Sequence, residues 1–402
     1  MHERYIARQP IFDGRMKVFG YELLFRDGPK NAFSPAKHAS SSVIVDSTML
    51  YSLDTLIGSA KAFINLDLGA LMNGAALFLP PDRTVIEILE SVEPTTEVIA
   101  ACQDLCDKGY TLALDDFVDH AKWTPLTAMA KYLKIDFRIS QGPVRAVVAD
   151  RYLRKGMQLL AEKVETQEDQ HDAQRLGYTL FQGYFFCKPN MVEGRDVPPN
   201  KLIYMRLLEA ASAADAPQEK LEDIIKQEPS LVFKLLRYLN SPRMGLRTEI
   251  RSIHHAITLL GDREFRRWVT ILAVVAMGSG KPSELIRMAL TRAYFCEEIS
   301  GPLGMTADSA DLFLMGLLSV ADALLDLPIE RVLATLPVSD DLRFALSRKE
   351  SRFSDVYNTV LSYEHGDWKQ LSATLAGRID NADTQLPGCY LVATQRANQI
   401  AA

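Results

Sequence analysis

Cysteine is scarce: five in 402 residues, at positions 102, 106, 187, 296 and 389. Cys102 and Cys106 lie one helical turn apart in an apolar pattern, and no Cys or His partner follows at zinc spacing. A disulfide framework and a structural zinc site are therefore excluded, and the thiols read as reduced and cytosolic. Long hydrophobic runs are missing as well. Val269–Met277 and Leu312–Leu325 are too short or too polar to span a bilayer. Met1 to Phe19 carries charges throughout where a signal peptide would have its apolar core. There is no basic excess, with 45 Lys+Arg against 51 Asp+Glu. Neither half of the chain is basic, which argues against direct nucleic-acid binding. The absences leave a cytoplasmic chain with no membrane partner.

What is present is ordinary in amount, 48% hydrophobic and 24% charged, and distinctive in order. The length suits two domains of about 200 residues each. Up to about residue 187, short apolar runs alternate with helix-like segments. The runs are Tyr5–Arg8, Phe19–Phe25, Ala62–Asp67, Val85–Leu89, Thr111–Phe117, Tyr132–Phe137, Gln158–Val164 and Leu180–Phe186; Pro94–Lys108 and Gln167–Leu176 are among the helices. Repeated strand–helix units predict a mostly parallel sheet covered by helices. Eight runs suit a small (β/α) barrel, with an open doubly wound sheet as the alternative.

Prolines in Lys188-Pro189-Asn190 and Val197-Pro198-Pro199-Asn200 mark a boundary. The predicted division is a barrel over 1–190, a Pro-rich linker over 191–200 and an all-helical domain over 201–402. The helical half shows apolar stripes at Leu221, Ile224 and Ile225, at Leu231, Leu235, Leu236 and Leu239, and at Ile253, Ile257 and Leu260. Pro217 is expected at the first position of a helix, and Gly261 and Gly278 at helix ends.

Acids and amides recur at the trailing ends of the strand-like runs: Glu22, Asn65, Glu87, Asp115-Asp116, Asp136, Glu162 with Glu165, and Gln182, with Lys134 among them. In a parallel barrel those ends open on one face, where barrel chemistry occurs. Oxygen donors there suit Mg²⁺ or Mn²⁺, and two such ions can clamp a phosphodiester. Lys134 could orient a water and Glu162 accept its proton. Any single acid is explained better by capping the following helix; the whole ring is not. An aldolase-like role for Lys134 as a Schiff-base amine leaves the other oxygens unexplained, and the neighbouring Asp136 favours its charged form.

Several segments resemble the EAL-domain family, in family order over residues 1 to about 190. They are Gln9-Pro10-Ile11, Gly20-Tyr21-Glu22-Leu23-Leu24-Phe25-Arg26, Phe63-Ile64-Asn65-Leu66, Glu87-Ile88-Leu89-Glu90-Ser91, Leu114-Asp115-Asp116-Phe117, Lys134-Ile135-Asp136, Ala161-Glu162-Lys163-Val164-Glu165-Thr166, Gln182-Gly183-Tyr184 and Lys188-Pro189. The resemblance implies a TIM-like (β/α)8 barrel with one antiparallel strand, whose active members hydrolyse cyclic di-GMP to pGpG with Mg²⁺ or Mn²⁺. By motif position it implies Glu22, Asn65, Glu87, Asp115 and Asp116 as metal ligands, Glu162 as general base and Lys134 as the residue positioning water. Glu165 and Gln182 complete the site, Arg26 contacts phosphate, and Glu90 holds the loop after the paired aspartates. That loop departs from the family: Val118-Asp119-His120 stands where hydrolysing members have Gly-Thr/Ala-Gly, and Lys163 replaces a usual Gly. Family barrels often dimerise through it, which weakens the expectation of a homodimer here.

The segments 230–242 and 252–261, followed by Arg266-Arg267-Trp268, resemble the HDOD domain, a relative of the HD phosphohydrolase fold without its metal ligands. Residues 201–402 contain no His-Asp doublet, and Gly316-Leu317-Leu318 leads into Ser319-Val320-Ala321 where one would stand. No cofactor is expected there. His254 and His255 read as structural, Arg263, Arg266 and Arg267 as a solvated helix face, and His171-Asp172 as part of the barrel's helical layer. The combined expectation is a signal transduction protein whose barrel binds cyclic di-GMP with a divalent metal and whose helical domain relays to an unidentified protein partner. Hydrolysis is expected to be weak or absent, with an active phosphodiesterase as the alternative.

Overall fold

The computed structural model describes residues 4–27, 53–140, 142–189, 199–213, 217–240, 250, 252–375 and 382–401. Eight strands close into a barrel in chain order: β1 (Arg4–Asp13), β2 (Val18–Asp27), β3 (Lys61–Leu66), β4 (Thr84–Ile88), β5 (Thr111–Leu114), β6 (Tyr132–Asp136), β7 (Gln158–Glu162) and β8 (Leu180–Gln182). β1 runs antiparallel to both β2 and β8, and all other neighbours are parallel. Each strand-like run thus forms a strand. Six strands end sooner than the apolar pattern suggests, three by a single residue and three by two or more; those three stop before Phe117, Val164 and Phe186, which pack as buried residues beyond the strands.

Period-two alternation aims the chemistry. Phe63, Val85, Ala113, Tyr132, Leu160 and Leu180 form one apolar cluster with Ile11, apart from the main core, and they fill the lumen. Two residues further along, on the same face, come Asn65, Glu87, Lys134, Glu162 and Gln182, with Asp115 just past the end of β5. In β2 the lumen layer has Gly20 before Glu22. A Cβ there would lie 2.9 Å from both the Lys61 carbonyl oxygen and the Phe63 ring, so this position admits no side chain. The polar layer rests on a packed floor.

Helices α1 (Thr96–Asp107), α2 (Gly142–Leu153) and α3 (Gln167–Arg175) follow β4, β6 and β7. Thr95 and Thr166 cap two of them by accepting from Val98 N and Asp169 N. His171-Asp172 lies in α3, as expected.

The second half is helical among its described residues, including α4 (Pro199–Ser212), α5 (Gln218–Lys226), α6 (Pro229–Leu239), α7 (Ile253–Leu260), α8 (Asp262–Met277), α9 (Ser283–Ser300), α10 (Ser309–Leu318), α11 (Ser354–Glu364) and α12 (Ala382–Ala401). α4 begins at Pro199, inside the stretch read as linker, because a proline fits a first helical turn whose N–H groups lack partners anyway. Pro217 is the cap before α5 and not its first residue. Arg266 and Arg267 are not a solvated face. Arg266 pairs with Asp262 at 2.7 Å and donates to the carbonyls of Ala210 and Ala213. Arg267 meets Glu297 through two hydrogen bonds of 2.5 and 2.7 Å and stacks on Phe313. Spacing marked them as one polar stripe, whereas packing of α8 on α4 and α9 turns them inward. His254 is exposed on α7. No helix among the described residues is long and apolar enough to cross a membrane.

Both halves meet along β1, β2 and the turn after β8. α11 and α12 pack on β1, Tyr21 of β2 donates to Glu284 Oε2 of α9 at 2.8 Å, and Tyr184 after β8 donates to the Glu364 carbonyl of α11 at 3.3 Å.

Candidate functional site

Lys134 stands at the centre of the barrel mouth, fully buried. Its ammonium lies 2.6 Å from Glu87 Oε1, 2.7 Å from Asp115 Oδ1, 2.9 Å from Glu162 Oε1 and 3.4 Å from Glu22 Oε2. Four carboxylates from four strands or strand ends thus converge on one cation. Amides complete the ring: Asn65 Nδ2 donates to Glu22 Oε1 at 2.6 Å, and Gln182 Nε2 donates to Glu22 Oε2 at 2.6 Å and to Gln9 Oε1 at 3.2 Å. The pairing register accounts for this, since Gln9 opposes Glu22, Ile11 opposes Gln182, and Asn65 opposes Glu87.

The local chain holds these groups in place. Gly183, with φ 145°, passes so close to Val164 that a Cβ would lie 2.1 Å from its carbonyl oxygen. Val164 N donates to the Gln182 carbonyl, and Phe117 N to that of Lys134. The ladder therefore continues just past the strand ends and fixes the side chains that leave them.

Electrostatically the ring is overloaded with acid. Burial pushes Glu87 and Glu162 well above the usual carboxylate range, and the pull of Lys134 does not offset it. Burial likewise raises Asp115. Glu22 moves the other way: burial opposes its charge, but Lys134, Gln182 and Asn65 together outweigh burial. Lys134 is held well above its ordinary value, burial being outweighed by its four acids. The buried atoms Asn65 Oδ1, Glu87 Oε2, Glu162 Oε2 and Gln182 Oε1 accept no hydrogen bond. Surplus acid groups and spare hard oxygens fit a divalent cation such as Mg²⁺ or Mn²⁺, whose charge would favour the ionised carboxylates.

The remaining candidates sit around this ring. Asp116 has φ 40° and pairs with Lys163 at 3.3 Å, not with Lys134. Glu90 is exposed, and its carboxylate comes within 4.8 Å of those of Asp115 and Asp116. Glu165 lies at the outer lip, accepting from Arg138 Nε at 2.6 Å and pairing with Lys188 at 3.6 Å. Arg26 belongs to β2 by its backbone; its side chain lies outside the described residues. Sequence reasoning assigned no role to two residues that the structure brings here. Gln9 was legible by alternation with Ile11 in the lumen. Lys163, noted only as a missing glycine, donates to Asp136 Oδ2 at 2.5 Å.

The loop after Asp116 is fastened down. Asp119 pairs with Arg151 and accepts from the Tyr152 hydroxyl, each at 2.7 Å, while Phe117 packs edge-on against Tyr152. Lys122 reaches Glu93 at 2.8 Å.

Two domain profiles match the chain. The EAL domain profile matches residues 65–189 and the HDOD domain profile residues 197–325. Cyclic di-GMP phosphodiesterase CdgJ of Vibrio cholerae is 35% identical over 375 residues, covering 92% of this chain and 87% of that protein. The protein YuxH of Bacillus subtilis is 31% identical over 401 residues, 97% of each chain. Among solved structures, the calcium/cyclic di-GMP complex of Klebsiella pneumoniae BlrP1 is 24% identical with a TM-score of 0.37, over 46% of this chain and 55% of that one.

Proposed function

Because the chain belongs to the family that joins an EAL domain to an HDOD domain, we propose that its barrel binds cyclic di-GMP together with divalent metal and that its helical half relays this state to a protein partner. The observation that carries the reading is the convergence of Glu22, Glu87, Asp115 and Glu162 on Lys134, with buried oxygens left over. In this reading residues 1–190 form the EAL barrel, 191–200 the linker and 201–402 the HDOD domain.

Glu22, Asn65, Glu87, Asp115 and Asp116 would hold the metal, Mg²⁺ or Mn²⁺. When bound, it supplies Lewis-acid stabilisation of charge on phosphodiester oxygens. Glu162, 2.9 Å from the Lys134 ammonium at the mouth, is placed to take a proton from water; burial raises its carboxyl, and the charge of a bound metal would favour its ionised form. Lys134 holds that carboxylate in place and orients the water. Gln182, Glu165, Glu90 and Arg26 form the surround that receives the dinucleotide.

Hydrolysis is weak or absent in this reading, because the loop after Asp116 has lost both glycines and is tied to α2 through Asp119. A misplacement of about 1 Å costs on the order of 100-fold in rate. The second reading, an active phosphodiesterase producing pGpG, is favoured by the complete acid set around Lys134. Support for relay comes from the seam: Tyr21, bonded to Glu284, is next to Glu22, and Tyr184, bonded to the Glu364 carbonyl, is two residues from Gln182.

The test is incubation of the full chain with cyclic di-GMP and Mn²⁺, following pGpG by chromatography, beside calorimetric binding in Ca²⁺. Binding with little or no product supports the first reading. Rapid product formation, lost in Glu22→Ala and Glu162→Ala, supports the second. Absence of binding in either metal sinks both.

A further inference from the structure

Two non-glycine residues at the barrel mouth have left-handed backbone: Asp116 with φ 40° and Lys163 with φ 53°. Side chains with a Cβ seldom adopt this region, and they persist in it when their surroundings over-determine them. Here the two face each other. Lys163 directly follows Glu162, and its left-handed turn sends the side chain across the mouth. Its ammonium lies 2.5 Å from Asp136 Oδ2 and 3.3 Å from Asp116 Oδ1. Asp136 Oδ1 already accepts from Arg138 N at 2.7 Å, so both its oxygens are engaged.

Among the described residues, two ammonium groups therefore stand inside the lip with separate territories. Lys134 serves the central ring of Glu22, Glu87, Asp115 and Glu162; Lys163 serves Asp116 and Asp136. Asp116 also belongs to the rim group with Glu90 and Asp115, the one place among the described residues where three metal-type ligand atoms lie within 4.8 Å of one another. A divalent ion bound there would stand beside the Lys163 ammonium and compete with it for Asp116.

We propose that the Lys163 ammonium takes the place of the second of two divalent ions, so that this barrel binds a single divalent ion where a glycine at 163 would admit a pair. The inference rests on the metal-binding reading of the mouth given above. An ammonium supplies one positive charge and hydrogen bonds, but it offers no coordination positions. It can therefore neutralise Asp116 without clamping both the attacking and the leaving oxygen of a phosphodiester, as a pair of metals does. Slow turnover with retained binding is the chemical consequence.

The test counts Mn²⁺ ions bound per full-length chain by electron paramagnetic resonance, in wild type, Lys163→Gly, Lys163→Asn and Lys163→Arg, with no nucleotide added. Gly and Asn both tolerate left-handed backbone, so either can report if the other fails to fold. Wild type and Lys163→Arg should bind one ion. Lys163→Gly and Lys163→Asn should bind two, the second at least about tenfold more tightly than in wild type, with the spectrum of a spin-coupled pair. Two ions in wild type, with the second unchanged in the variants, overturn the proposal and leave the metal-binding reading intact. A count of one that stays one in both neutral variants also overturns it. No ion in any protein overturns the metal-binding reading and this proposal together.

Discussion

In the helical half, Arg292 donates to Glu364 Oε2 at 2.8 Å and to Ser319 Oγ at 3.2 Å, one buried base facing one buried acid. In the barrel, four acids share Lys134, and oxygens of Glu87 and Glu162 are left without a hydrogen bond. Both clusters are desolvated, so the difference lies in stoichiometry. A matched pair holds helices together and is complete. An excess of acid costs stability where it stands and is useful only toward something positive that arrives later.

The largest effect expected from this contrast is at the matched pair. Glu364→Ala leaves Arg292 buried and uncompensated and should cost about 3–5 kcal/mol in denaturant unfolding. Glu87→Gln should have the opposite sign in metal-free protein, raising stability by roughly 1 kcal/mol because a repelled carboxylate is removed. The same variant should weaken Mn²⁺ binding. If Glu87→Gln destabilises the metal-free chain, the two clusters are not different in kind.

The pH dependence sharpens the comparison. Glu87 and Glu162 have folded-state values raised well above 4.5. In the window above 4.5 the native state therefore holds more protons than the unfolded chain, and its stability falls as pH rises. Glu22, lowered from 4.5, acts in the window below, where its contribution is lost as pH falls. Lys134, raised above 10.5, keeps its contribution until strongly alkaline pH. Thermal melts in EDTA should thus decline from mildly acidic to neutral pH more steeply for wild type than for Glu87→Gln. Added Mn²⁺ should stabilise wild type more at the higher pH.

The smallest effect concerns the loop beside the ring. The Tyr152 hydroxyl is pushed up to about 12, by burial first and then by Asp119. Asp119→Asn should bring it part of the way back, read from phenolate absorbance, with a loss of about 1 kcal/mol in stability. An unmoved titration would mean that Asp119 does not fasten this loop in solution.

Much of the barrel was legible because alternation is a local signal. Phe63 with Asn65, Val85 with Glu87 and Leu160 with Glu162 place lumen and mouth two residues apart in every register. Strand ends were less legible, since Phe117, Val164 and Phe186 are as apolar as the strands they follow. The reach of Lys163 was hidden: spacing marks it as a residue beside Glu162, and only the left-handed backbone turns it toward Asp136. The inward roles of Arg266 and Arg267 and the bond from Tyr21 to Glu284, separated by 263 positions, depend on tertiary packing that no periodicity encodes.

The seam on β1 and β2 carries a consequence for exchange of information in both directions. Tyr21 and Glu22 are consecutive on one strand and so point to opposite sides of the wall, one toward α9 and the other into the lumen. If filling the mouth makes the helices harder to open, measured as slower amide hydrogen exchange in α9, then an antibody or partner that grips those helices changes affinity at the mouth by the same factor.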